Sequence, residues 1–421
     1  MRYTFLTIPL CLFAVTAAVG EFRFPMPDFS SGYTHPSLHL PSPETLSPFL
    51  DITILTLALL TASLLVLKRR SRREIFLLTL CSLLYFGFIR QGCVCPVGSL
   101  QNVVAGIFHS DFSVPFVVLA FFSMPLIFAL FCGRIFCAAV CPLGAIQEVV
   151  AVKPVKVPSG IDKLLGLIPY LYLGLTILSV VMGAGFIICQ YDPFVGFFRL
   201  GASFNMLVFG GTLLIIGIFV ARPYCRFLCP YGVLLNWMSR LAKWHASITP
   251  ADCTQCTLCA DSCPYNAINT PASHSEPKDT GIKRLRTLLL LLPVIIAIGA
   301  ATGTALREPL SRMHPTVRLA ERIAGEYAGI HTEQTIDSET FRASEKTRAE
   351  LYSEARTLKS GFAYGGAWFG AFIGLVIGCK LIALTLARKR TNYEPDRGAC
   401  LSCGRCFRYC PISARKGVQD V

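Results

Sequence analysis

Two stretches of this chain space their cysteines as iron–sulfur ligands. Cys253, Cys256, Cys259 and Cys263, followed by Pro264, read C-x2-C-x2-C-x3-C-P, and Cys400, Cys403, Cys406 and Cys410, followed by Pro411, read the same. Three thiolates on one tight loop suit three corners of a four-iron cubane, the fourth cysteine serves the neighbouring cluster, and the proline turns the chain away. We therefore expect one [4Fe–4S] cluster on Cys253, Cys256, Cys259 and Cys410, and a second on Cys400, Cys403, Cys406 and Cys263. Zinc is the alternative, but it favours two C-x2-C pairs across a longer spacer, and neither run has that form.

A second pattern occurs three times. Arg90-Gln-Gly-Cys93-Val-Cys95-Pro96-Val-Gly98, Arg134-Ile-Phe-Cys137-Ala-Ala-Val-Cys141-Pro142-Leu-Gly144 and Arg222-Pro-Tyr-Cys225-Arg-Phe-Leu-Cys229-Pro230-Tyr-Gly232 all read R-x2-C and then C-P-x-G. Each follows an apolar run. Cys137, Cys141, Cys225 and Cys229 suffice for a third iron–sulfur cluster, with Arg134 and Arg222 balancing negative charge where an unpaired charge is costly. The bland alternative is a set of packing corners with buried free thiols. Cys132 is a spare ligand. Cys93 and Cys95 fall at the opposite face, with Cys189 and His109 near them, and are candidates for an outer redox centre or a disulfide. Cys11, Cys81 and Cys379 sit in apolar helices as small buried side chains. No C-x-x-C-H occurs, so covalent haem c has no signature.

Composition says what must position these groups. Of 421 residues, 53% are hydrophobic and 15% charged, with mean hydropathy +0.56, whereas a soluble domain has about 25% charged residues. That excess apolar surface calls for a bilayer. The net charge of +14 clusters at the ends of apolar runs, where lysine and arginine set orientation, so nucleic acid is not the expected partner. Nineteen cysteines, mostly in short metal-binding clusters, read as a cluster-loaded site and not as a disulfide scaffold.

Apolar runs of bilayer length fall at about 50–67, 74–90, 113–131, 164–188, 204–221, 285–302 and 361–387. Lys68-Arg69-Arg70-Ser71-Arg72-Arg73 marks an inside end. Alternation puts 132–163, 222–284 and 388–421 on that side, with Lys153, Lys156, Lys163, Arg240, Lys243, Lys283, Arg284, Arg286, Arg388, Lys389 and Arg390. Stretches 91–112 and 190–203 carry almost no basic residue, and loop 303–360 balances nine basic against nine acidic residues. Two spans lie between the ferredoxin runs, so both reach the inside face.

The expected fold is mainly α: a polytopic transmembrane helical bundle with a split, bacterial two-[4Fe–4S] ferredoxin-like cytoplasmic domain. Residues 1–20 read as a signal peptide or first anchor helix, 21–49 as a periplasmic strap, and 50–249 as the bundle with its three turns. Residues 250–284 form the first ferredoxin half, 285–302 a transmembrane helix, 303–360 a periplasmic helical loop, 361–387 a transmembrane helix and 388–421 the second ferredoxin half. In the loop, Leu319, Ile323 and Tyr327 recur at helical spacing.

The two C-x3-C-P turns together with the two ferredoxin runs resemble the NosR/NapH type of polyferredoxin membrane protein, over roughly residues 70–265 and 395–415. That resemblance implies quinol oxidation or electron delivery to periplasmic reductases, in the bacterial inner membrane. The chain departs from the pattern in separating its ferredoxin runs by two spans, in lacking the Ser/Thr-Gly-Ala-Thr flavin motif, and in adding the Cys93-x-Cys95-Pro96 turn. The leading expectation is transmembrane electron transfer to a membrane or periplasmic redox partner, a flavin- or haem-containing reductase among them. A quinol dehydrogenase subunit, with Asp192 as the one candidate proton-handling group and quinone as substrate, is the second reading. A redox maturation factor for a periplasmic metalloenzyme is the third.

Overall fold

The protein is described from a computed structural model over residues 47–411, apart from 93–94, 200, 202, 249–252, 272–277, 332–334, 345, 386–389 and 391. The expected signal or anchor segment, nearly all of the strap, Cys11, Cys93, Arg388 and Lys389 lie outside the described residues.

Helix α1 (Ser47–Leu64) ends in a π-helical turn over Leu65–Arg69. Its hydroxyls do not interrupt it, because Thr53, Thr56, Thr61 and Ser63 each donate to the carbonyl four residues back, which satisfies them inside an apolar helix. Arg70, with φ 53°, reverses the chain, and Ser71 caps α2 (Arg72–Ser82), which continues as a π-helical Leu83–Ile89. Then follow α3 (Pro96–Phe108), α4 (Phe116–Cys132), α5 (Pro142–Val150), α6 (Ser159–Leu165), α7 (Ile168–Val181), α8 (Phe204–Phe219), α9 (Pro230–Arg240), α10 (Lys278–Ala305), α11 (Pro315–Tyr327) and α12 (Arg348–Thr385).

Among the described residues four stretches are long and apolar enough to cross a membrane: Phe49–Arg69, Ser159–Val181, Gly281–Ala305 and Arg348–Thr385. They correspond to four of the seven expected runs. Runs 113–131 and 204–221 fold as shorter apolar helices of 17 and 16 residues, and run 74–90 as α2 with its π-helical continuation. The expected span 164–188 stops at Val181, because Gly183 and Gly185 take positive φ and turn the chain. The last helix starts thirteen residues before the expected 361. At about 1.5 Å per residue its 38 residues run to about 57 Å, well beyond a hydrocarbon core of about 30 Å. Its first turns pack Leu351 and Ala355 on Val317, Ala320 and Ile323 of α11, so helices occupy much of the stretch 303–360.

The bundle has two ends. At one, both ferredoxin segments meet α2 and the connection between α5 and α6: Arg72 donates to the Cys403 carbonyl at 2.9 Å, Asn266 to the Val157 carbonyl at 2.7 Å, and Lys156 pairs with Asp261 at 3.0 Å. At the far end, Asp51 at the start of α1 pairs with Arg90 at 2.5 Å and accepts from Tyr85 at 2.8 Å, and His109 meets the Val180 carbonyl at 2.8 Å.

Helices α10 and α12 join backbone to backbone. A Cβ on Gly303 would run into the Gly366 carbonyl oxygen, and one on Gly370 into that of Gly299. Small residues let helices approach closely where lipid offers no hydrophobic drive between them. Gly370→Leu is therefore expected to prise α10 from α12 at a cost of about 1–3 kcal/mol or more, read as a lower unfolding temperature in detergent; Gly281→Leu, with nothing within 4 Å of its added Cβ, is the matched control.

Candidate iron–sulfur sites

Each ferredoxin loop bends through the same two left-handed positions. In the first run Gln255 and Thr257 have φ of 54° and 64°, and in the second Ser402 and Gly404 have φ of 54° and 72°. These residues flank the second cysteine of each run. Left-handed backbone there curls the loop so that its thiols share one concave side. A two-stranded antiparallel pair then joins the halves, β1 (Ile268–Asn269) on β2 (Glu394–Pro395), with Ile268 opposite Pro395. The Asp396 amide extends it by donating to the Ala267 carbonyl at 2.7 Å.

The pairing creates two cavities. Cys253, Cys256, Cys259 and Cys410 line one of them, with Ile248, Tyr393 and Pro411. Cys263, Cys400, Cys403 and Cys406 line the other, with Tyr265, Arg405 and Phe407. Each cavity thus takes three cysteines from one run and the last from the other. Among the described residues no three Cys, His, Asp or Glu side chains converge on the position of a single ion. Four thiols ringing a cavity suit a multi-iron cluster better than zinc, which draws its sulfurs to about 2.3 Å from one centre. Burial pushes the Cys400 thiol up to about 12, although the Ser402 amide donates to its sulfur at 3.4 Å. A thiol of that kind becomes a ligand only when a metal stabilises the thiolate.

The four cysteines of the C-x3-C-P turns are each 8% exposed and lie within electrostatic range of one another. The C-P-x-G sequence explains its own geometry. Cys141 and Cys229 are the N-caps of α5 and α9, with proline in the first turn, where no amide is needed. At α9 the glycine amide three residues on donates to the cap sulfur, at 3.3 Å from Gly232 to Cys229. At α5 glycine is required at the matching position: a Cβ on Gly144 would come within 3.2 Å of Arg222 Nη1 and 3.7 Å of Cys225 Sγ. Arg134 lies 3.9 Å from Cys137 Sγ. Gln147, unmarked by any motif, donates to Cys225 Sγ at 3.3 Å and accepts from the Tyr224 amide at 2.9 Å.

Sequence reasoning also missed Glu148. Its side chain is fully buried and binds three arginines: Arg72, Arg222 at 2.8 Å and Arg405 at 2.8 Å. Tyr265 adds a hydroxyl at 3.3 Å. Burial by itself would raise this carboxyl, but Arg222, Arg405 and Arg72 outweigh burial and hold it well below the usual carboxylate range. Arg222, itself fully buried, also donates to the Cys137 and Ala138 carbonyls. Arg134 and Arg222 thus stand beside their turns, whereas Arg90 binds Asp51. Cys132 faces Ser63 of α1. Cys81 and Cys379, read as small buried side chains, are exposed on their helices. Cys95 caps α3 and lies within electrostatic range of Cys141 and Cys229. Asp192 lies near Cys95 and Cys189.

Helices of membrane-spanning length, paired ferredoxin loops and buried four-cysteine turns together are the features of an iron–sulfur-binding membrane protein. Sequence comparison agrees. One 4Fe–4S binding domain family matches residues 92–115, 114–158 and 202–249, covering all three C-P-x-G turns, and a second matches 246–269 over the first ferredoxin run. The chain carries 4Fe–4S binding domains and resembles electron-transport proteins of the NapH/NosR-like polyferredoxin type. It is 38% identical over 53 residues to YccM of Escherichia coli (strain K12), named as an electron transport protein, and 29% identical over 133 residues to NirI of Paracoccus denitrificans (strain Pd 1222). These alignments cover 13% and 30% of this chain, and only 15% of YccM and 19% of NirI. No solved structure matches.

Glu148→Gln is expected to destabilise the protein by about 3–5 kcal/mol, because it leaves buried arginines without their counter-charge. Limited proteolysis should release the 390–411 segment sooner in this variant. The ordinary value for the carboxyl is 4.5 and its folded value is far lower. The wild-type stabilisation is therefore complete above that ordinary value, and it declines as pH falls from there toward the folded value. The Gln variant should lack this acid-dependent loss.

Proposed function

We propose that the chain conducts electrons across the bacterial inner membrane through three iron–sulfur centres. The first uses Cys253, Cys256, Cys259 and Cys410, the second Cys400, Cys403, Cys406 and Cys263, and the third Cys137, Cys141, Cys225 and Cys229. The observation that carries this reading is the crossed composition of the two ferredoxin cavities. Two four-cysteine sets with shared loops are what a two-cluster ferredoxin requires. The third set lies next to the second through Arg222, which binds Glu148 as Arg405 does. When bound, the clusters supply the one-electron chemistry. The chain's own residues hold the thiols, exclude water and place positive charge beside them.

The ferredoxin end is assigned to the cytoplasm by its basic residues, Arg69, Arg70, Arg72, Lys153, Lys156, Arg240 and Lys243 among them, against the nearly uncharged turns at the far end. A periplasmic redox protein or reductase is then the partner at the far end.

One observation favours the quinol dehydrogenase reading. A cleft of about 600 Å³ opens beside Cys225 and Cys229, walled by Leu167, Ile377 and Leu381 and edged by Tyr170, Arg134 and Lys380. Apolar walls with a few convergent polar groups suit a lipid-soluble quinone head. Asp192 does not line it.

Anaerobic purification with iron and sulfide counting and EPR tests the main reading. Cys137→Ala and Cys225→Ala should each lose the iron of one centre, about four atoms if it is a cubane, and keep both ferredoxin signals. Unchanged iron in both variants would reduce the turns to structural corners. Reduction of the clusters by added quinol, abolished by Leu381→Trp, is the outcome expected if the cleft binds quinone.

A further inference from the structure

The cleft of about 600 Å³ is bounded by α6 and the start of α7, the end of α12, α9 and residues 396–401 of the second ferredoxin run. Its charge is lopsided. Arg134, Lys163, Arg226, Arg240 and Lys380 line it against two carboxylates, Asp162 and Asp396. Both carboxylates are engaged. Asp162 pairs with Arg226 at 2.7 Å, and Asp396 Oδ1 accepts from the amides of Gly398 and Ala399, each at 2.9 Å. Among the described residues Arg134, Lys163, Arg240 and Lys380 form no ion pair. A neutral quinone head leaves that charge unanswered.

Three of these cations are held by neutral groups. Arg134 is 7% exposed; its Nη1 donates to the Gly398 carbonyl at 3.2 Å, and its Nε has no hydrogen-bond partner. Arg240 comes to the same glycine: its Nε lies 2.9 Å from where a Cβ on Gly398 would be, and donates to Asn236 Oδ1 at 3.0 Å. Across the cleft, within the last two turns of α12, Lys380 donates to the Gly166 carbonyl at 2.5 Å, its Nζ 4.9 Å from the centroid of the Tyr170 ring. These partners orient the cations and leave their charge uncompensated, which is costly at the end of an apolar helix unless an anion meets it. The rest of the lining is lipid-like. Leu164, Leu381 and Leu384 line the cleft and are exposed, on two stretches long and apolar enough to cross a membrane.

We propose that this cleft holds an anionic phospholipid, its phosphate on Arg134, Arg240 and Lys380 and its acyl chains along Leu381 and Leu384. Basic pockets between membrane helices bind such headgroups, and phosphate oxygens are the charge-assisted acceptors that an unpartnered guanidinium nitrogen and an ammonium lack here. The lipid ties α12 to α9 and to the second ferredoxin run at the level where the spans end. It takes the place that quinone has in the second reading above, so the two compete. It rests on none of the cluster assignments.

The test uses the full chain in detergent, stripped of lipid by extended washing, with the unfolding temperature and lipid retention in native mass spectrometry as readouts. Phosphatidylglycerol is expected to raise the unfolding temperature and to stay bound; phosphatidylcholine at the same concentration should do neither. This comparison needs only the wild-type chain. Lys380→Gln and Arg240→Gln should each weaken phosphatidylglycerol binding roughly fivefold, the worth of one basic contact, whereas Lys380→Arg, and Lys243→Gln outside the cleft, should bind as wild type does. Equal effects of the two lipids, or wild-type binding in both Lys380→Gln and Arg240→Gln, would overturn the proposal. An equal shift with inorganic phosphate alone would also overturn it and make the site one for a free anion. Quinol-driven cluster reduction that saturating phosphatidylglycerol leaves unchanged and Leu381→Trp abolishes would give the cleft to quinone instead. No quinol-driven reduction, with phosphatidylglycerol retained, would overturn the quinone reading alone.

Discussion

One buried carboxylate holds the architecture together. Glu148 binds Arg72 from α2, Arg222 from the turn before α9, Arg405 from the second ferredoxin run and Tyr265 from just beyond the first. Without its arginines the carboxylate would be an uncompensated buried charge, and without the carboxylate three cations would crowd one desolvated space. Neither half is stable alone, so four distant segments are forced into one register. The arginines pass that register on: Arg222 fixes the Cys137 and Ala138 carbonyls, and Arg72 fixes the Cys403 carbonyl. The hub leaves a surplus of positive charge between the second ferredoxin cavity and the buried turns. Anionic thiolate clusters on either side would be balanced by that surplus.

What the sequence made legible follows from the range of each interaction. The ferredoxin runs were readable because their ligand geometry is local: a dozen residues hold the spacing and the proline. The pairing of Cys410 with the first loop was readable from the same chemistry, and its cavity has that composition. The C-P-x-G turns were visible as repeats, and α5 and α9 start at their cysteines. Glu148 was not visible. Its arginine partners are 74, 76 and 257 residues away in sequence, and on a short amphipathic helix a glutamate reads as a solvated one. The span lengths were misjudged where glycines turn the chain at 183–185, and where α12 keeps helical pattern across both cap and membrane.

Separating the two ferredoxin-type cysteine runs by a helical pair has a physical consequence. The segments at Cys253 and Cys400 can meet only if α10 and α12 return the chain to the end it left. Those helices do so through glycine contacts at 299, 303, 366 and 370, which set the distance between their axes. The strand pair that finally joins the halves is two residues long, too short to be stable by itself. Its register therefore depends on the hub and on the α10–α12 contact. Cluster ligands drawn from both halves would add a third constraint, because metal binding free energy is also folding free energy.

The three C-P-x-G helices share a direction with a chemical meaning. Each begins at a cysteine N-cap, and at α9 the Cys229 sulfur accepts an amide hydrogen bond from Gly232 in the first turn. A helix N-terminus carries partial positive charge, and here three such termini, those of α3, α5 and α9, lie near one another around the same group of thiols. In a low-dielectric interior such fixed dipoles favour a negatively charged cluster without free cations and without water. The arrangement raises the energy of the site when it is empty, since buried polar donors then lack acceptors. It lowers that energy when thiolates and cluster are in place. A cluster held at these turns would make the chain more stable loaded than bare, with its charge met by backbone dipoles that barely reorient as an electron arrives or leaves.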